Sequence, residues 1–372
     1  IYKVRGNSGG ICEMRKYYST ELLQQLSIAF GPSGCENNVS ELIISQIDNV
    51  CDAYCTDRVG NVIAKICGKG IDYNEEDPVK VMVSAHMDEV GFMVTDITED
   101  GYLKFSTLGG INPRVMCGRN VEVGDENGRV KGVVATKAIH MQTSDEKGKV
   151  IGIDKMYIDI GAVDREDAKK YVSVGDVGTF DSDFVRFGKD GCKLKGKALD
   201  DRLGCAAMIE VMREIKNSDK ELPYDVYFCF TCCEEIGISG AAVASQSIEP
   251  DIAIVLEATA VSDIADVPDD LKVAAQGEGG AISFMDNGTV YDRQFVSLAM
   301  KIAENKGIKA QIKSYVSGAN DASHIQRSGK GTKVLAISAP ARYIHSASCV
   351  VDAEDYESVK SLVYALISDG KI

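Results

Sequence analysis

The run VKVMVSAH at residues 79–86 is apolar at almost every position. A strand with one wet face alternates polar and apolar side chains. A strand apolar throughout must be covered on both faces, as at the centre of a parallel sheet lying between helices. The chain from residue 200 onward supports that placement. Strand-like runs DVYFCFT, IAIVLE and KVLAIS alternate with helical stretches at 201–216, near 239–246, at 292–305 and at 354–368, and a further strand is expected over 309–315. The last helix sets Tyr356, Val359, Leu362, Val363, Leu366 and Ile367 on one stripe. Alternating strands and helices give a mostly parallel sheet flanked by helices. Upstream, Leu22, Leu23, Leu26, Ala29 and Phe30 define a helix stopped by Gly31-Pro32. Val39, Leu42, Ile43, Ile47 and Val50 define a second, and NVIAKI at 61–66 reads as another strand.

After Gly91 the texture changes. From about 92 to 183 the short runs GFMVTDI, YLKFSTL, NVEV, RVKGVVAT and MYIDIGA are separated by Gly, Asn and Asp turns, the pattern of a small barrel or sandwich. The expected fold class is therefore α/β: a domain assembled from residues 14–91 and 184–372, with an all-β, barrel-like domain of residues 92–183 inserted into it. Two domains also suit a chain of 372 residues. Residues 1–13 show no periodicity and are expected to be a non-native or flexible N-terminal segment outside the fold. With 41 Lys+Arg against 56 Asp+Glu the net charge is −15, which argues against nucleic acid or an anionic membrane as partner. No apolar run approaches the ~18 residues of a membrane span. Twelve cysteines spread through apolar contexts of a long chain read as buried free thiols, and a cytoplasmic location is expected. Cys232-Cys233 and the pair Cys51/Cys55 each lack the second pair that a zinc knuckle requires.

Histidine chemistry is limited to His86, His140, His324 and His345. In open α/β sheets functional groups gather where strands end at their carboxyl edge. The strand at 79–86 ends in His86-Met87-Asp88-Glu89, and DVYFCFT runs into Cys232-Cys233-Glu234-Glu235. IAIVL ends at Glu257, and the KVLAIS strand ends near His345. Asp200-Asp201 stands at the start of a helix. Each piece alone has an ordinary explanation. Asp200 suits a helix N-cap, Glu234-Glu235 a solvated helix start, His86 a hydrogen-bonded core position, and Glu257 an exposed strand end. Together they form the imidazole–carboxylate mixture that holds zinc, cobalt or manganese. His140 reads as structural or as an interface residue. His324, Asp321 and Arg342 lie near the same loops without matching a ligand position. Gly277, Gly279 and Gly280 in QGEGGA lack the Lys-Ser/Thr of a phosphate loop, so nucleotide binding is excluded.

The phrases SAHMDEVGF, GKALDDRLG, FTCCEEIGISGA and PARYIHSA, in that order, resemble the motifs of the tetrahedral (TET-type) metallo-aminopeptidases. That family includes glutamyl and deblocking aminopeptidases and cellulase-M-like proteins. LLQQLSIAFGPSGCE, DRVGNVIAK and SGANDA extend the resemblance over nearly the whole chain from about residue 17. It implies a zinc-peptidase-like catalytic domain with two divalent ions, zinc or cobalt first and manganese third, bridged by Asp200. His86 and Glu257 would complete one site, and Glu235 and His345 the other. Glu234 would be the general base, and Asp88 would orient His86. The implied activity is removal of N-terminal residues from peptides. The implied assembly is a homo-oligomer of twelve subunits, built from dimers through residues 92–183. The residue types suit that chemistry: a bridging carboxylate holds two dications ~3.5–4 Å apart, and a glutamate beside them can accept the proton of an attacking water.

One departure stands out, because the family usually carries Asp where this chain has Glu257. Glutamate keeps the charge and adds a methylene, so the first site is expected to be looser or shaped for another ion. The same metal pair would serve an amidohydrolase acting on acylated amino acids, and Glu257 is what a catalytically degenerate assembly scaffold would rest on. A glycoside hydrolase needs two carboxyls ~5–10 Å apart and leaves His86 and His345 without a role.

Overall fold

The computed structural model describes residues 20–69, 71, 78–218, 220–314, 316–369 and 372. The segment 1–13 lies outside the described residues. Four adjacent strands, Asp225–Thr231, Lys80–His86, Ile252–Ala260 and Lys333–Arg342, form the parallel centre of an eleven-stranded sheet. Every residue of Val81–His86 is buried, as a strand covered on both faces requires. Helix Leu199–Lys216 packs on Lys80–His86 and Ile252–Ala260 and against the last helix, Ala353–Ser368. Glu21–Ile28 and Asn37–Ile47 pack on that same helix, while Ser239–Ile248 lies against Asp225–Thr231.

The wings of the sheet are antiparallel. Val62–Ile66 and Ala53–Thr56 extend it on one side, and Cys349–Asp352, Lys193–Gly196 and Val185–Phe187 on the other. For the pairs joined by short loops, connection length decides the direction. Only residues 343–348 separate Lys333–Arg342 from Cys349–Asp352, too few for a crossover, so the chain must turn back on itself. The strand expected over 309–315 is confined to Ala310–Ile312, paired with Gly280–Ile282. The strand carrying Glu257 does not end there. It continues to Ala260, still paired with its neighbour at Ala260↔Ala341, whereas its pairing with Lys80–His86 stops at Val255↔Ser84. The sheet splits at that point.

Residues following Lys80–His86 form a closed barrel of six strands: Gly91–Ile97, Leu103–Leu108, Tyr157–Asp159, Arg129–Ala135, Asn120–Gly124 and Val177–Phe180, in order around the wall. Phe92, Val94, Leu103, Phe105, Val121, Val123, Val134, Ile158 and Phe180 fill its interior. Val177–Phe180 closes the barrel by pairing with both Gly91–Ile97 and Asn120–Gly124. It is buried at all four positions and so lacks the alternation that marks its neighbours in the sequence. The eleven cysteines among the described residues are all free, but Cys55 and Cys117 are exposed, not buried. Cys55 lies in the antiparallel edge strand Ala53–Thr56, which is exposed along its whole length. No helix among the described residues is long and apolar enough to cross a membrane.

Candidate metal centre

The carboxyl ends of the four central strands converge on a cavity of about 480 Å³, lined among others by Asp200, Glu234, Glu235, Glu257, Lys313 and His345. Asp200 stands in the irregular first turn of Leu199–Lys216, with φ −90° and ψ 106°. One of its oxygens, Oδ1, lies 3.3 Å from Nε2 of His86, and Oδ2 lies 3.1 Å from Nε2 of His345. Glu257 Oε2 is 3.8 Å from the His86 nitrogen, and Glu235 Oε1 is 3.4 Å from that of His345. The donors thus fall into two groups sharing Asp200: His86, Asp200 and Glu257, and Asp200, Glu235 and His345, the ligand atoms of each lying within 4.8 Å of one another.

Both imidazoles are turned the same way by carbonyl acceptors. Nδ1 of His86 faces the backbone carbonyl of Asp88 at 3.0 Å, and Nδ1 of His345 faces that of Gly110 at 2.9 Å. A carbonyl cannot donate, so each Nδ1 carries the hydrogen and each Nε2 is presented to Asp200. Gly110 belongs to the loop after barrel strand Leu103–Leu108, so the barrel contributes directly to the site. A side chain at Gly109 (φ +83°) would bring a Cβ within 2.9 Å of Val90 and 3.2 Å of the Glu235 Cβ.

These residues fit divalent cations. Oε1 of Glu235 and Oε1 of Glu257 are buried without a hydrogen-bond partner, an expensive state for a carboxylate unless a cation faces it. Burial, with Asp200 and Asp88 nearby and against the pull of His345 and His86, pushes Glu235 up to about 8. Burial also drives Glu257 well above its ordinary value, reinforced by Glu234, Asp201 and Asp200 and opposed by His86. Glu234 rises to about 9 by burial and by repulsion from Asp321, Glu235 and Asp200, again opposed by His86. Burial acts on Asp200 too, yet hydrogen bonds with His345 and His86 outweigh it and hold that carboxyl below its usual range. The cluster is short of positive charge, and imidazole plus carboxylate is the donor set of zinc, cobalt or manganese.

Asp88 does more than neighbour His86. Its carboxylate Oδ1 is 3.5 Å from the His86 ring nitrogen, farther than its own carbonyl. The two carboxylate oxygens accept the amides of Glu234 (3.0 Å) and Glu235 (3.1 Å) and the hydroxyl of Ser33 (2.5 Å). Asp88 therefore clamps the backbone of both glutamates. Glu36 braces the same turn, accepting the amides of Gly34 (2.8 Å) and Cys233 (3.1 Å). Sequence reasoning missed Ser33 and Glu36; the Gly31-Pro32-Ser33-Gly34 punctuation is the only local signal. Asp321 is buried and accepts the hydroxyls of Thr231 (2.7 Å) and Ser84 (3.3 Å), just upstream of Glu234 and His86. Arg342 is taken by Asp263 in a two-pronged pair. His140 is exposed on the barrel, and His324 hydrogen bonds with Ser323 away from the cavity lining.

Arg202, two residues after Asp200, ties the turn that follows His86 to the end of the first helix. It is wholly buried and donates to the carbonyls of Met87, Leu26 (2.7 Å), Ala29 (3.1 Å) and Gly31 (3.2 Å). Glu89, 3.5 Å away, is also paired with Lys197 at 2.5 Å. Replacing Arg202 with Met leaves those carbonyls and Glu89 short of donors. A loss of about 3–5 kcal/mol is expected in denaturant unfolding. A loss below about 1 kcal/mol would show that the cluster is not a structural tie.

The chain matches the M42 glutamyl aminopeptidase family over residues 60–362. It is 32% identical to the lysyl aminopeptidase of Pyrococcus furiosus over 356 residues, covering 94% of this chain and 97% of that one. Among solved structures, the TET aminopeptidase of the marine sediment archaeon Thaumarchaeota archaeon SCGC AB-539-E09 superposes with a TM-score of 0.89 at 32% identity, covering 94% of this chain and 95% of that chain. The Pyrococcus horikoshii TET1 peptidase, described as able to assemble into a tetrahedron or a large octahedral shell, gives 0.81 at 33% identity, covering 93% and 98%. Fold, converging donors and relatives agree, and the chain belongs to the M42 aminopeptidase family of peptide hydrolases.

Proposed function

We propose that this aminopeptidase works with two divalent ions per chain, zinc or cobalt first and manganese third, held by His86, Glu257 and Asp200 on one side and by Asp200, Glu235 and His345 on the other. The observation that carries the reading is Asp200, its two oxygens 3.3 Å and 3.1 Å from two imidazole nitrogens, flanked by unpartnered oxygens of Glu257 and Glu235. Ions bound there supply Lewis acidity toward a water and toward the scissile carbonyl. Glu234 takes the proton of the attacking water and returns it to the leaving amine. Asp88 holds the Glu234 and Glu235 amides, so the base and its neighbour keep their spacing through the reaction. His86 and His345 present Nε2 because carbonyls hold their Nδ1 hydrogens. The decisive assay uses Leu-, Glu- and Lys-aminoacyl chromogens with and without chelator, beside an acylated peptide and carboxymethylcellulose. Chelator-sensitive release from free N-termini alone is expected; cleavage of only the acylated peptide would favour the amidohydrolase, and of only the cellulose a glycosidase.

Glu257 is the informative ligand of the set. Glu257→Asp is expected to stay active with altered metal affinity, since charge is kept and only reach changes. Glu257→Ala should reduce bound metal from about two ions to about one per chain by elemental analysis. Unchanged stoichiometry and affinity in the alanine variant would remove Glu257 from the coordination sphere.

In this reading residues 14–91 and 184–372 form the catalytic domain, residues 92–183 make the dimer contact, and six dimers enclose the sites as a cytoplasmic homododecamer. Val163, Ile139, Met141, Val174 and Tyr171 are each more than half exposed on the barrel, which supports an interface there. Closed assemblies of two-fold dimers are the common outcome for self-complementary surfaces. Light scattering should report close to twelve times 40.1 kDa. A monodisperse monomer active at micromolar concentration would sink the assembly.

A further inference from the structure

Strands Lys80–His86 and Ile252–Ala260 run side by side only from Ile252↔Val81 to Val255↔Ser84. Beyond that point they part. The first stays with Asp225–Thr231 as far as His86↔Thr231, and the second stays with Lys333–Arg342 as far as Ala260↔Ala341. Glu257 stands at the parting. Among the described residues, no strand pairs with residues 256–260 on the side that Lys80–His86 leaves. Ala258, Thr259 and Ala260 line the same cavity as Glu234 and Glu257.

Along a strand, successive residues turn their amide and carbonyl groups to opposite edges, because the backbone rotates by about half a turn per residue. The Val261 amide donates to the Ala341 carbonyl at 2.9 Å, toward the neighbouring strand. By alternation Thr259 and Glu257 face that strand, and Ala258 and Ala260 turn their main-chain groups to the vacated lane. Ala258 is only 9% exposed, and buried main-chain donors and acceptors need partners.

We infer that the peptide substrate fills this lane as an added strand, its backbone pairing with the main chain of Ala258 and Ala260. The inference rests on the aminopeptidase reading of the site and extends it to how residues beyond the first are held. Direction follows from the chemistry. The free N-terminus must lie at the parting, beside Glu257 and His86, so the remaining residues run outward past Ala260. The substrate is then parallel to Ile252–Ala260 and continues the course that Lys80–His86 abandons. Main-chain pairing supplies affinity without reading side chains, so the third and later residues of a peptide are held whatever their identity.

N-methyl scanning tests this with the intact, metal-loaded enzyme. The substrates are a Leu-headed pentapeptide amide and two analogues, methylated at the amide of residue three or of residue four, with the scissile amide untouched. In an added strand only alternate residues pair. One analogue should lose roughly 3- to 10-fold in kcat/KM, mainly through KM, the size of one neutral backbone hydrogen bond. The other should match the parent. Tolerance of both, or equal losses from both, would overturn the added strand while the Leu-aminoacyl chromogen, turned over in the same experiment, keeps the aminopeptidase reading intact. Failure of both chromogen and parent peptide would overturn that reading and the strand with it.

Discussion

Glu234→Gln is expected to lower kcat by about a thousandfold or more while the protein keeps its metal and its fold. A positioned base contributes roughly 10²–10⁴ in rate, and a side-chain amide of the same shape cannot accept the proton. The substitution leaves the backbone untouched, so the Glu234 amide still donates to Asp88. Glu235→Gln is the contrasting variant. Its Oε1 faces His345 at 3.4 Å, so weakening that carboxylate should release metal as well as activity. Turnover at saturating substrate, measured beside elemental analysis of the same preparation, separates the two. If Glu234→Gln kept more than about a tenth of the wild-type turnover, the proton acceptor would have to be sought elsewhere.

Exhaustive chelation is expected to abolish activity, lower the melting temperature, and be reversed by added zinc or cobalt. Asp200, Glu234, Glu235 and Glu257 crowd a cavity in which burial already pushes Glu235 up to about 8 and Glu257 well above its ordinary value. Cations bound there would neutralise that crowding only in the folded state, so their binding would stabilise it. At a free metal concentration a hundred times the dissociation constant the contribution is about 2.7 kcal/mol per ion. Calorimetry should show a melting point several degrees lower after stripping, and titration should return close to two ions per chain. A preparation free of metal by elemental analysis and fully active in chelator would end the metallopeptidase mechanism.

Much of this centre is legible in the sequence, for a local reason. Val81–His86 announces a buried strand by its unbroken apolarity, and the rule that chemistry gathers at carboxyl ends of such strands directs attention to His86, Glu234 and Glu235. His345 follows the end of Lys333–Arg342, and Asp200 marks a helix start; both are punctuation events visible along the chain. Glu257 is less legible. Its strand runs on to Ala260, because pairing with Lys333–Arg342 outlasts the apolar run that flags it. Ser33 and Glu36, which brace the glutamate turn, sit about 200 residues from it and carry no pattern of their own.

By itself the sequence determines the periodicities, hence which segments become strands and helices, and the order in which imidazoles and carboxylates reach the strand ends. Only the tertiary structure decides what those ends face. Asp200 meets His86 across 114 residues and His345 across 145. The Gly110 carbonyl reaches His345 from a barrel whose strands pair among themselves. The antiparallel wings, the closing strand Val177–Phe180 and the parting of Lys80–His86 from Ile252–Ala260 belong to the same class. Each depends on which hydrogen-bonding edge a strand finds beside it, and one-dimensional periodicity records the faces of a strand but not its edges.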